Sequence, residues 1–143
     1  MRKSGSCLCG AVAFEADVPE PTAQACHCVQ CQRWTGGGPL FVLGVQNVDM
    51  RGQEAFSAYR ASAHGERVNC GTCGSPLFWR MQGEAPRSLA LGLFDDQSDI
   101  QIGAEIFVDR RAGWLPVFDG ASQSTETQEL GKLEAYLESK SEA

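Results

Sequence analysis

Seven cysteines fall into three short groups: Cys7 and Cys9 as C-x-C, Cys26, Cys28 and Cys31 as C-x-C-x-x-C, and Cys70 and Cys73 as C-x-x-C. None stands alone, and such spacing suits a metal. A tetrahedral zinc takes four thiolates, so seven supply one closed site and one site with an open corner. Three thiolates leave zinc a weak Lewis acid, poorly suited to generating hydroxide. They leave it able to bind a fourth sulfur, and a thiol on zinc is deprotonated outright. Held beside an aldehyde, that sulfur is a placed nucleophile.

Two partitions fit the spacing. In one, Cys7 and Cys9 join Cys70 and Cys73 in a closed site, and Cys26, Cys28 and Cys31 hold a second zinc with a free position. In the other, Cys28 and Cys31 join Cys70 and Cys73 as a zinc ribbon, which leaves Cys7, Cys9 and Cys26 without a task. Strand alternation would turn both members of each C-x-C pair to one side. Gly74, directly after Cys73, permits positive φ and is expected to aim backbone amides at the sulfurs.

Other polar and aromatic side chains have blander readings. His27, between two candidate ligands, is expected to point away from the metal as a surface or supporting histidine. His64 reads as a turn residue. Gly36, Gly37, Gly38 and Pro39 end a short helix, and their amides could also meet a carboxylate. Arg33, Arg60 and Arg67 read as surface charges able to pair with carboxylates. Phe78, Trp79 and Trp114 read as packing residues.

These groups must be positioned by a domain of 143 residues, long enough for one core. Sixteen glycines exceed the typical share of about 7% and favour turns and short strands. The net charge of −6 and the absence of a basic cluster argue against nucleic acid. No stretch of about 18 apolar residues suggests a membrane span, and no apolar run follows the basic start. The chain reads as cytoplasmic, where clustered cysteines serve as ligands or catalysts rather than disulfides.

Alternation of Val12, Phe14 and Ala16 predicts a strand over 10–18 that ends at Pro19 and Pro21. Residues 22–28 lead extended into the triplet, and 30–35 form a short helical turn. Further strands are expected at 40–46, 54–60, 64–70, 76–81, 87–93 and 104–109. Thr125 and Gln128 form a capping box before Leu130, Leu133 and Leu137, predicting a helix over 126–139 that packs on its own domain. The sum is an all-β domain with one C-terminal helix. Metal would help to fold it, by analogy with zinc-finger peptides, where binding is worth about 10–16 kcal/mol.

The stretches GSCLCG at residues 5–10, CHCVQC at 26–31 and CGTCGSPLF at 70–78 together resemble the glutathione-dependent formaldehyde-activating enzyme family, also called the centromere protein V family. The likeness covers residues 4–120, including Glu105 to Asp109 and Trp114 to Pro116, within a single domain over 1–143. It implies a zinc-stabilised β fold similar to Mss4. It implies the first partition: Cys7, Cys9, Cys70 and Cys73 on a structural zinc, and Cys26, Cys28 and Cys31 as catalytic ligands of a second. It also implies a carbon–sulfur lyase acting on a small thiol such as glutathione and on formaldehyde or another small aldehyde. Gln32 to Gly36 departs from the basic pair and small residue that members often carry, most visibly at Trp34. Two other function classes compete: a non-catalytic zinc module that binds a protein, and a C-x-x-C dithiol protein, which would expect an α/β fold.

Overall fold

Val12, Phe14, Ala16 and Val18 are all buried, and the strand they define begins one residue after the first of them. The computed structural model describes residues Met1 to Ser141. In chain order its elements are β1 (Arg2–Ser6), β2 (Ala13–Asp17), β3 (Thr22–Cys26), α1 (Val29–Thr35), β4 (Leu40–Gly44), β5 (Gln46–Arg51) and β6 (Phe56–Tyr59). There follow β7 (Gly65–Cys70), β8 (Pro76–Met81), β9 (Ser88–Ala90), β10 (Gln101–Ile106), β11 (Ser122–Ser124) and α2 (Glu126–Ser141). The expected all-β architecture with a C-terminal helix is the one observed.

The chain forms two compact units, one of residues 1–23 and 41–101 and the other of 24–40 and 102–143. In the first unit β1, β2 and β5 make an antiparallel sheet, with Gly5 opposite Phe14 and Phe14 opposite Met50. A second sheet orders β6, β7 and β8, and β4 pairs with β9. Its apolar core includes Phe14, Leu43, Val68, Leu77, Phe78, Leu89 and Phe94. Two edge-to-face pairs lock it: Phe14 with Phe94 at 5.0 Å and Phe56 with Phe78 at 5.5 Å. Burying each such side chain stabilises by about 1.5–3 kcal/mol. Gly5 is required here, since a Cβ would lie 2.2 Å from the Leu93 carbonyl oxygen.

The second unit is built differently. β10 runs beside β11 in parallel, with Glu105 opposite Gln123, and β10 neighbours β3. Its buried side chains are few: Ala25, Cys26, His27, Cys31, Leu40 and Glu105 among them. Helix α2 starts at the expected capping box. The Thr125 amide donates to Gln128 Oε1 at 2.8 Å, and the Gln128 amide donates to Thr125 Oγ1 at 3.2 Å. The leucine stripe behaves otherwise than expected. No residue of α2 is buried, and Leu130 is exposed. Among the described residues no helix is long and apolar enough to cross a membrane.

Strands β1 and β11 carry no apolar alternation and were not legible as strands; β5, where Val48 and Met50 alternate with polar residues, was not anticipated either. β1 turns Lys3 and Gly5 inward, with Lys3 Nζ on Asp99 Oδ1 at 2.8 Å and on the Asp96 carbonyl at 3.1 Å. The strand expected over 87–93 is only Ser88–Ala90, followed by a 3-10 turn.

Candidate functional site

The sulfurs gather in two groups. Those of Cys7, Cys9, Cys70 and Cys73 lie within 4.8 Å of one another, and so do those of Cys26, Cys28 and Cys31. This is the grouping of the first partition; the ribbon pairing is not formed. The first group lies wholly in the first unit and the triplet wholly in the second.

In the first group Cys70 ends β7, while Cys7 and Cys9 lie on a turn after β1, closed by the Gly10 amide on the Cys7 carbonyl at 3.2 Å. A turn, rather than strand alternation, brings Cys7 and Cys9 to one side. Their sulfurs are 3.7 Å apart, and Cys9 lies 3.9 Å from Cys70. A tetrahedron with Zn–S bonds of about 2.3 Å has edges of about 3.8 Å, so the spacing fits. Backbone amides support the sulfurs: Val12 donates to Cys7 Sγ at 3.3 Å and Ala11 to Cys9 Sγ at 3.5 Å. Gly74 has the expected positive φ of 80°, but its amide donates to the Cys70 carbonyl at 2.7 Å instead of to sulfur. Ser75 is the support that the spacing did not reveal. Its Oγ lies 3.2 Å from Cys73 Sγ and accepts from the Leu8 amide at 3.0 Å.

Crowding divides these thiols. The Ser75 hydroxyl and amide hold Cys73 down at about 5. For Cys9 the Ala11 amide favours the thiolate, but desolvation and the thiols of Cys7, Cys73 and Cys70 outweigh it and push it up to about 11. Four sulfurs this close cannot all be anionic on their own charges. A divalent cation removes the conflict, and the donor set therefore fits zinc.

In the triplet, Cys26 is the last residue of β3, Cys28 is the N-cap of α1, and Cys31 lies in its first turn. The Cys31 amide donates to Cys28 Sγ at 3.2 Å, so a sulfur takes the place of the usual capping oxygen. The neighbouring thiols of Cys28 and Cys31, together with burial, push the Cys26 thiol far above the ordinary range. Here too a cation resolves the conflict. The helix ends at Gly36 (φ 90°), and Gly37 and Gly38 also take positive φ, which explains the glycine run.

His27 does point away from the sulfurs, yet it is no surface residue. It is 1% exposed, and its Nε2 lies 2.8 Å from Oε1 of Glu105, which is 0% exposed. Burial alone would raise the Glu105 pKa; His27 and Arg111 outweigh it and hold the carboxyl below the usual range. Arg111 donates to the same oxygen, Oε1, while Oε2 is buried without a hydrogen bond of ordinary geometry among the described residues, and the nearby Gln123 side chain also helps to lower the carboxyl. The sequence signal for this network was a carboxylate at an inward position of a strand; its partners gave none.

The other candidates disperse. His64 lies in an exposed bend, as expected. Arg33 is exposed on α1. Arg60 is exposed and lies 3.6 Å from Glu66, whereas Arg67 is buried rather than solvated. Phe78 is buried and the Trp79 ring fills the space beside Gly65. Trp114 packs against little: it is 72% exposed.

Known proteins resemble this chain in fold or in sequence. A Rhodobacter sphaeroides protein of known crystal structure superposes with a TM-score of 0.50 at 20% identity, over 85% of this chain and 99% of its own. An uncharacterised lyase of Schizosaccharomyces pombe is 28% identical over 106 residues, 73% of this chain and 77% of the relative. A Halomonas elongata protein, named provisionally for glutathione-dependent formaldehyde activation, is 34% identical over 87 residues, 54% of this chain and 55% of the relative. The family described as glutathione-dependent formaldehyde-activating enzyme matches residues 2–110, a span that contains all seven cysteines. The chain belongs to the glutathione-dependent formaldehyde-activating enzyme family.

Proposed function

We propose that residues 1–143 form a single zinc domain that makes or breaks a small thiol–aldehyde adduct, a carbon–sulfur lyase reaction. One observation carries this reading. Cys26, Cys28 and Cys31 converge as a group of three with no fourth His, Cys, Asp or Glu among the described residues. The histidine between them is committed to Glu105. Cys7, Cys9, Cys70 and Cys73 would hold a structural zinc, and the triplet would hold a catalytic one. Zinc held by three thiolates supplies a position at which an incoming thiol ionises.

The chain's own part is to place that thiol. Cys28 caps α1 and Cys31 follows one turn later, so two of the three sulfurs are set by helix geometry. In the reaction the thiol sulfur bonds to the aldehyde carbon and the carbonyl π bond breaks. The proton lost by sulfur ends on the carbonyl oxygen, giving an S-hydroxymethyl thioether; the reverse cleaves the carbon–sulfur bond. The family's description supports glutathione as thiol and formaldehyde as aldehyde. Seven free cysteines suit a reducing compartment, in keeping with the cytoplasm. An acidic chain with a net charge of −6 suits a small substrate better than nucleic acid.

The test is elemental analysis with an adduct-formation assay. About two zincs per chain are expected, and Cys28→Ser should lose the second zinc together with thiol–aldehyde activity. A Cys28→Ser protein with full activity defeats the reading. A second reading, a non-catalytic protein-binding zinc module, is favoured by Leu8, 88% exposed between Cys7 and Cys9. It predicts no turnover with any thiol and aldehyde by a fully zinc-loaded protein.

A further inference from the structure

Between the first two sulfurs of the triplet stands a residue with almost no freedom. The His27 amide donates to the Ile106 carbonyl at 3.0 Å, and its own carbonyl accepts from Gln32 Nε2 at 2.7 Å. Its ring lies nearly parallel to Phe118, with centroids 6.5 Å apart, and its Nε2 reaches Glu105. A carboxylate can only accept, so Nε2 carries the hydrogen of that bond. β10 thus grips His27 twice, through the main chain at Ile106 and the side chain at Glu105. Fixing the His27 peptide unit fixes the Cα positions of Cys26 and Cys28 on either side.

The grip is itself braced. Arg111 returns to Glu105 because the chain after β10 turns sharply at Phe107, which sits in the left-handed region at φ 56° and begins a 3-10 turn over Val108–Arg110. A bulky residue rarely takes that conformation, and such strain concentrates at functional sites. Gln32, one residue past Cys31, also bonds the Arg110 carbonyl at 2.8 Å. The Gln123 side chain, opposite Glu105 on β11, adds to the polar surroundings of the carboxyl. A buried ion pair is a weak source of stability, and apolar residues in its place commonly do as well. Holding the fold together is therefore a poor account of this arrangement.

We infer that Glu105 and Arg111 are positioning residues for the cysteine triplet: by immobilising His27 they keep the sulfurs of Cys26 and Cys28 converged with that of Cys31. The inference rests on the triplet being a metal and thiol site. It assigns Glu105 and Arg111 no contact with substrate.

Cobalt(II) is the probe, because its thiolate charge-transfer absorption reports each cysteine site and its ligand-field bands report geometry. The first group of four serves as an internal reference within the same protein. Wild type is expected to take two equivalents. Glu105→Leu should leave the first unchanged and weaken the second about tenfold or more, the range that outer partners of metal ligands command. Glu105→Gln keeps an acceptor for His27 and should recover most of the second affinity. In a His27→Gln background Glu105→Leu should add nothing further, because its route is gone. A Glu105→Leu protein whose second site matches wild type in affinity and spectrum overturns the inference. So does a full additional loss in the His27→Gln background. Should Glu105→Leu lose the first signal as well, it has unfolded, and Arg111→Gln decides: a severalfold weaker second site supports the inference and an unchanged one overturns it. Wild type taking a single cobalt, at the group of four, sinks the site reading itself and the inference with it.

Discussion

The two units each gather cysteines, but they hold them by opposite means. The first carries its group of four, with Cys7 and Cys70 buried and Cys9 exposed, on a unit built round an extensive apolar core with two edge-to-face aromatic pairs. Its four sulfurs are enough to close a tetrahedron and leave nothing over. The second buries little apolar surface and instead pins a histidine with hydrogen bonds and a buried carboxylate. Its group stops at three. On the proposed reading, the closed group on the apolar unit serves the fold and the incomplete group in a polar, braced setting serves the reaction. Four donors satisfy a tetrahedral ion, and a fourth seat left to solvent or substrate is useful only if the other three cannot drift.

The sharpest way to break this contrast is at the group of four. Cys70→Ser should lower the thermal midpoint by more than about 10 °C in circular-dichroism melts, since structural zinc contributes many kcal/mol and each kcal/mol moves a domain of this size by several degrees. Cys28→Ser should instead cost at least about 100-fold in thiol–aldehyde activity while moving the midpoint far less than Cys70→Ser does. Equal losses of stability from the two variants would remove the division of labour. Gly5→Ala tests the apolar side of the comparison. Its Cβ would meet the Leu93 carbonyl oxygen at 2.2 Å and the Phe14 ring at 2.6 Å, so about 1–3 kcal/mol of overpacking is expected in denaturant titration. The smallest expected effect is Ser75→Ala. Loss of a hydroxyl bonded to Leu8 and Cys73 should cost about 1 kcal/mol and weaken cobalt severalfold at the first group only, read by competition with a chelating indicator.

Legibility in the sequence followed apolar patterning. β2 was readable because Phe14 and Ala16 alternate with polar residues, and α2 because its capping box is local. β1 was not, because its inward residues are Lys3 and Gly5, whose burial depends on Asp99 and Leu93 far along the chain. The leucines of α2 show the converse: helical spacing alone did not bring burial. His27 was readable as turned from the sulfurs, but its burial was not, since Glu105 lies 78 residues away.

By itself the sequence determined how many sulfurs each short motif offers, since residues one to three apart are held together by local turns and one helical turn. It determined the start of α2 for the same reason. Only the tertiary structure decided that Cys9 meets Cys70, 61 residues on, and that His27 meets Glu105. Those meetings come from strand pairing and from buried charge seeking a partner, and both are settled by the whole chain excluding water, not by any one segment.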